Sequence, residues 1–311
     1  MKFGGLAESK KFLLCFPEGT KDKNGLQFWN ASEACCDGFD TGVDDSGYLR
    51  GLIEVIGTRF PLDRKRIYAV GHSNGGWMAY RMACEHSDLI AAIASLMGMA
   101  TGRPGGCVPS QPVNILHVHG SADSLVQYDG GLGLSFSWTT ALSPHPGALE
   151  SIALWARYNG CADATTDTDA SLKLDLAVTS ALDTVVTRYT KSPPGGAVEL
   201  WTIRGGQHRP TVSPGFAASV VDWLLAHPKP TLTGGERDGS QDEPVFDGAL
   251  IASARDPLVL LRRGALAFQG CHTMLCRQFF ILPSPDLSCL RRFPHRGGLI
   301  FTTGHNPFAV R

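Results

Sequence analysis

The chain has 311 residues, 43% hydrophobic and 18% charged, a composition ordinary for one large globular domain or one and a half. Its 28 basic residues nearly cancel 29 acidic ones, so no basic face argues for nucleic acid and no acidic run for a solvating tail. No apolar run approaches the ~20 residues that span a bilayer, and Met1-Lys2-Phe3-Gly4-Gly5 lacks the apolar core of a signal peptide.

Residues 1–230 alternate strand-like runs with helix-like stretches, as a parallel α/β fold requires. In chain order the apolar runs are Phe12–Phe16, Ile67–Val70, Leu89–Leu96, Val113–Val118 and Val198–Ile203. Turn signals close them, such as Pro17-Glu18-Gly19, Gly71 and Gly120. Helices are expected over Gly47–Arg59, Gly75–His86, Gly147–Tyr158 and Phe216–Ala226. In the last, Phe216, Val220, Trp223 and Leu224 recur at helical spacing, the pattern of a face laid on a sheet. Val185–Thr190 and Val198–Ile203 read as two strands joined through Pro193-Pro194-Gly195-Gly196. The expected architecture is an α/β-hydrolase fold with a mostly parallel sheet in a catalytic domain over 1–230. After His227-Pro228-Lys229-Pro230 the periodicity fades. Residues 231–311 hold no lysine but nine arginines, and an irregular, poorly ordered extension is expected there.

Six of the nine cysteines precede residue 231 and three follow it. The spacing of Cys271, His272, Cys276, Cys289, His295 and His305 fits no compact zinc site, so no metal is expected there. From spacing alone, buried thiols and disulfides both remain open.

Gly71-His72-Ser73-Asn74-Gly75 has the form Gly-x-Ser-x-Gly. In that motif the serine occupies a strained strand-to-helix turn that lifts its hydroxyl above the sheet edge. The flanks agree: Arg66–Val70 reads as a buried strand and Gly76–Ala83 as a helix. A serine hydroxyl is a weak nucleophile at neutral pH and needs an adjacent base. In this fold the order along the chain is Ser, then an acid, then His. Val113–Val118 leads into His119-Gly120-Ser121-Ala122-Asp123, and Val198–Ile203 leads into Arg204-Gly205-Gly206-Gln207-His208. Both candidates thus follow a strand, where open α/β sheets build their sites. Ser73 is expected as nucleophile, His208 as base and Asp123 as its orienting acid. His72, Trp77, His119 and Trp138 are candidates for the substrate pocket, with Trp29, Tyr128 and Phe136 as further aromatics near it. Core packing is the alternative for each aromatic.

Several stretches together resemble the poly(3-hydroxybutyrate) depolymerase and feruloyl esterase group, the carbohydrate esterase family 1 type of α/β-hydrolase. They are Phe16-Pro17-Glu18-Gly19-Thr20, Phe28-Trp29-Asn30-Ala31, Cys35-Cys36, Val43-Asp44-Asp45 with Gly47-Tyr48-Leu49, the serine motif, His119–Asp123, Trp155 with Asn159-Gly160-Cys161, and Gly205–His208. The resemblance covers residues 11–230. It implies the same triad and the backbone N–H of Asn74 as one oxyanion donor. It further implies no cofactor, an ester substrate, disulfides among Cys35, Cys36, Cys84, Cys107 and Cys161, and a secreted protein, although no signal peptide is visible. Soluble esters such as feruloyl esters are expected ahead of hydroxybutyrate polymers or oligomers, because no aromatic binding module is attached. A catalytically impaired hydrolase-fold binding module is the reading from another class.

The chain departs from the group at its start. The resemblance implies an earlier strand and a His-Gly loop carrying the second oxyanion donor. The sole His-Gly here, His119-Gly120, already precedes Asp123. The sheet is therefore expected to lack a central strand. Asp256–Leu261, an apolar run leading into Arg262-Arg263-Gly264-Ala265, is the candidate to fill the gap. The opposing expectation makes residues 231–311 dispensable.

Overall fold

The structure, a computed structural model, describes residues 3–102, 105–132, 144–161, 166–172, 174, 184–231, 259–261, 276–283 and 299–301. In chain order they form α1 (Gly4–Ser9), β1 (Phe12–Cys15), β2 (Thr20–Lys21), β3 (Gln27–Phe28), α2 (Asp45–Arg59), β4 (Tyr68–Ser73) and α3 (Asn74–Glu85). Then come β5 (Ala92–Leu96), β6 (Asn114–Gly120), β7 (Gly131–Leu132), β8 (Pro144–His145), α4 (Ala148–Tyr158), β9 (Thr166–Leu172), β10 (Thr184–Tyr189), β11 (Val198–Ile203) and α5 (Phe216–Leu225). The last strands are β12 (Val259–Leu261), β13 (Cys276–Pro283) and β14 (Leu299–Phe301).

Eight strands build the central sheet in the order β1-β13-β4-β5-β6-β11-β10-β9. The middle of the sheet, β4 through β11, is parallel, and β10 and β9 continue it antiparallel. Helices cover both faces, as a parallel sheet demands. On one face Leu13, Ala69, Ile93 and Ile115 meet Ile53 and Ile56 of α2, Met78 and Met82 of α3, and Ile152 and Trp155 of α4. On the other, Leu14, Val70, Ala94, Leu116 and Ile203 meet Phe216, Val220 and Leu224 of α5. The period of two in the strands divides their side chains between these two cores. α2 begins two residues earlier than the apolar pattern suggests. The side chain of Asp44 accepts from the Gly47 amide at 2.8 Å, which satisfies one donor of the first turn.

The sheet has no vacant place between β1 and β4, contrary to expectation. β13 lies there, antiparallel to both, with Leu14 opposite Ile281 on one side and Tyr68 opposite Ile281 on the other. Ile281 is fully buried among Phe12, Leu14, Tyr68 and Val70. The run expected to fill the place does not: Val259–Leu261 pairs with Leu299–Phe301 in a separate two-stranded sheet. The physical requirement is simple. β1 and β4 each present a ladder of backbone groups that needs a partner inside a core. β13 meets it, although it lies beyond the boundary expected at residue 230.

Among the described residues two disulfides join Cys35 to Cys36 and Cys84 to Cys107, while Cys15 and Cys161 are buried free thiols. Among the described residues no helix is long and apolar enough to cross a membrane, and no cluster of side chains could hold a metal ion.

Candidate active site

β4 runs straight into α3 through Ser73, whose φ of 55° is rare for a residue with a side chain. Strain of this kind persists only where the surroundings enforce it. Here they do. A Cβ on Gly71 would sit 2.0 Å from the carbonyl oxygen of Gly75, so the turn closes only with glycine at that position. The amide of Asn74 stands at the N-terminal end of α3, where the helix dipole favours negative charge. The Asn74 side chain also acts as a strut. Its Oδ1 accepts from the Trp29 amide at 2.8 Å and its Nδ2 donates to the Trp29 carbonyl at 2.9 Å.

β6 and β11 are parallel neighbours, and the loops after their C-terminal ends carry the other two residues. These loops are bound together by Ala122 N–H to Gly206 O at 3.0 Å and by Gly205 N–H to Ser121 Oγ at 2.8 Å. Gly120 is needed for the approach, since a Cβ there would lie 2.2 Å from the Gly206 carbonyl oxygen.

The loops bring the three expected residues together. His208 Nε2 is 3.0 Å from Ser73 Oγ, and His208 Nδ1 is 2.8 Å from Asp123 Oδ2. All three side chains are buried. The other oxygen of Asp123 accepts from the amides of Leu125 and Val126, each at 2.9 Å. Burial pushes the Asp123 carboxyl up, but hydrogen bonds from His119, His208 and Val126 overcome it and hold the group well below the usual carboxylate range. Asp123 is therefore an anion, and the proton of the His208–Asp123 bond stays on the imidazole.

The four pocket candidates are placed differently. His72 is buried behind His208, where its Nε2–H donates to the His208 carbonyl at 2.8 Å. Burial brings its pKa down to about 4, so the ring is neutral near pH 7. Trp77 is buried on α3, edge-on to His145 at 5.5 Å between ring centroids. His119 lies beneath Asp123 with both ring nitrogens in hydrogen bonds. Trp138 lies outside the described residues, as does Phe136. Of the other aromatics, Trp29 is fully buried against Tyr48, and the Tyr128 hydroxyl pairs with Thr202 Oγ1 at 2.8 Å. Sequence reasoning missed the strut made by the Asn74 side chain and the hydrogen-bonded series of Tyr80, His117 and His119. The last two had a legible signal, because residues two apart on a strand share a face.

The fold is α/β, and its site joins a serine, a histidine and a carboxylate at the C-terminal edge of the parallel strands. No family model matches the chain. Feruloyl esterase B of Piromyces equi is 30% identical to it over 203 residues, 63% of this chain and 33% of that protein. Putative esterase NocK of Nocardia uniformis subsp. tsuyamanensis is 30% identical over 137 residues, 42% of this chain and 40% of that protein. The chain thus spans well under half the length of these relatives. Among solved structures, an acetyl xylan esterase from Aspergillus awamori superposes with a TM-score of 0.39 at 16% identity, over 58% of this chain and 66% of that one. The resemblance to the feruloyl esterase group seen in the motifs is therefore matched by curated relatives that carry that name.

Proposed function

We propose that the chain is a serine carboxylic ester hydrolase of the α/β-hydrolase type, acting through an acyl-enzyme. The observation that carries this is the hydrogen-bonded series Ser73 Oγ, His208 Nε2, His208 Nδ1 and Asp123 Oδ2. His208 takes the proton of Ser73 as Oγ attacks the ester carbonyl carbon. The carbonyl oxygen becomes an oxyanion, held by the Asn74 N–H at the start of α3. His208 then gives its proton to the departing alcohol oxygen, leaving an acyl group on Ser73. A water, deprotonated by His208, attacks the acyl carbon and releases the acid. Asp123 remains ionised throughout and stabilises the imidazolium. Each step conserves protons without a cofactor.

Soluble esters, with feruloyl esters first, are the substrates we assign; esters of hydroxybutyrate oligomers are the alternative. The names of the curated relatives support the first. The two disulfides support a compartment outside the reducing cytosol, hence a secreted protein. The test is hydrolysis of p-nitrophenyl acetate and methyl ferulate by the full chain and by Ser73→Ala. Ser73→Ala is expected to retain its fold and lose turnover by about ten-thousandfold or more. An intact chain with no Ser73-dependent turnover on any ester would instead be a binding module on a hydrolase fold.

A further inference from the structure

Behind the triad lies a second series of buried polar side chains that the mechanism above does not use. The Tyr80 hydroxyl on α3 is 2.7 Å from His117 Nδ1 on β6. His117 Nε2 is 3.1 Å from His119 Nδ1, and His119 Nε2 is 2.8 Å from the Val126 carbonyl oxygen and 3.3 Å from Asp123 Oδ2. Tyr80, His117 and His119 are all buried. We propose that Tyr80, His117 and His119 form a one-directional hydrogen-bond chain that fixes Asp123 for its partner His208, with His119 as the positioning residue. The proposal rests on the triad reading.

The direction of the chain follows from its acceptor end. His119 Nε2 faces two oxygens that only accept, a carbonyl and a carboxylate, so it must carry a proton. Neutral His119 then accepts at Nδ1, which requires His117 Nε2 to donate. Neutral His117 in turn accepts at Nδ1, which requires the Tyr80 hydroxyl to donate. Burial supports the same assignment at the far end: it raises the Tyr80 pKa well above the usual phenol range and lowers that of His117. With both rings neutral, every nitrogen is satisfied by one tautomer of each, and the opposite direction would require a doubly protonated His119.

The consequence falls on Asp123. Its Oδ2 receives both His208 Nδ1 and His119 Nε2, while Oδ1 receives the amides of Leu125 and Val126. His119 also binds the Val126 carbonyl, so one imidazole fixes both the carboxylate and the loop that carries it. The ring itself is held by His117, stacked at 5.3 Å, and by Tyr128, edge-on at 6.0 Å. His145 also interacts with it electrostatically. By drawing on Oδ2, His119 also moderates how strongly the carboxylate holds the His208 imidazolium. His72, whose ring lies 5.1 Å from that imidazole and on which Arg209 acts electrostatically, is not itself altered when His119 is replaced.

The test uses the full chain and two readouts. Nitrogen-15 NMR of the wild-type protein should show His117 and His119 both as neutral Nε2–H tautomers; an Nδ1–H tautomer or an imidazolium at either would overturn the chain's direction. The second readout is ester hydrolysis, with Ser73→Ala fixing the Ser73-dependent rate. His119→Phe should lower that kcat by about ten- to a hundredfold, a loss of the size found when a group orienting an active-site ligand is removed. KM should change less than about twofold, since His119 touches no substrate. The acid limb of the pH–rate profile should move to higher pH, because Asp123 then holds the imidazolium more tightly. His119→Gln, which restores one donor, should recover part of the loss. Tyr80→Phe should mix the tautomers of His117 and lower kcat by a few-fold. An unmoved acid limb with no rescue by His119→Gln would make His119 a packing residue and sink the proposal. Absence of any Ser73-dependent rate would instead sink the triad reading, and the NMR assignment would still decide the chain.

Discussion

Cys276 stands directly opposite Ser73 in the antiparallel pairing of β13 with β4, so the strand that ends in Ser73 is completed by a segment about 200 residues away in sequence. Removing everything after Pro230 would leave the edges of β1 and β4 unpaired within the core. Each buried backbone group so exposed costs roughly 1–3 kcal/mol, against a total stability of about 5–15 kcal/mol. A chain ending at Pro230 is therefore expected to aggregate and to lose its cooperative thermal transition. Ile281→Asp, which places a carboxylate at a fully buried site, should have nearly the same effect. A soluble, cooperatively melting truncation would show instead that residues 231–311 are dispensable.

Asn74→Ala separates the side chain of that residue from its backbone. The amide at the start of α3 remains, but the buried N–H and C=O of Trp29 lose their partners. A stability loss of about 2 kcal/mol in urea denaturation is expected. Turnover should fall as well, because the strut bears on the residue next to Ser73. An unchanged denaturation midpoint would mean that Trp29 finds other partners.

Acid should destabilise the fold well before the carboxylates titrate. Burial holds His72, His117 and His145 below the usual histidine range, with His72 at about 4. Below about pH 6.5 the unfolded chain binds protons at these rings and the folded chain does not, so stability falls with pH. For His72 this amounts to about 3 kcal/mol, lost progressively from about pH 6.5 down to 4. His72→Gln, whose amide can still donate to the His208 carbonyl, should flatten the stability–pH curve over that window by about one proton. Equal slopes for the two proteins would reject the assignment.

Much of this site is legible in the sequence because local signals and chain order agree. Gly71–Gly75 between an apolar run and a helical pattern marks the elbow. His119–Asp123 and Gly205–His208 each follow a run of buried-strand composition, which places both at the same sheet edge as Ser73. What escapes is non-local. Phe279-Phe280-Ile281-Leu282 is an apolar run as plain as those of β4 or β6, but it lies in a region without regular period. Only the unpaired edges of β1 and β4 reveal why a strand is required there. β9, with Thr166-Asp167-Thr168-Asp169, is polar because it pairs on one side only, and such edge strands carry little apolar signal. The Tyr80–His117 contact joins a helix to a strand 37 residues on, a distance that no periodicity encodes.

The most direct measurement is covalent trapping of the nucleophile. The full chain is incubated with diethyl p-nitrophenyl phosphate, whose phosphoryl group forms a stable ester with an activated serine. The account predicts a burst of p-nitrophenol equal to the protein present and a diethylphosphoryl mass on the tryptic peptide Ile67–Arg81, at Ser73. Neither Ser73→Ala nor His208→Ala should react. Stoichiometric label on another serine, or undiminished labelling of Ser73 in His208→Ala, would contradict it.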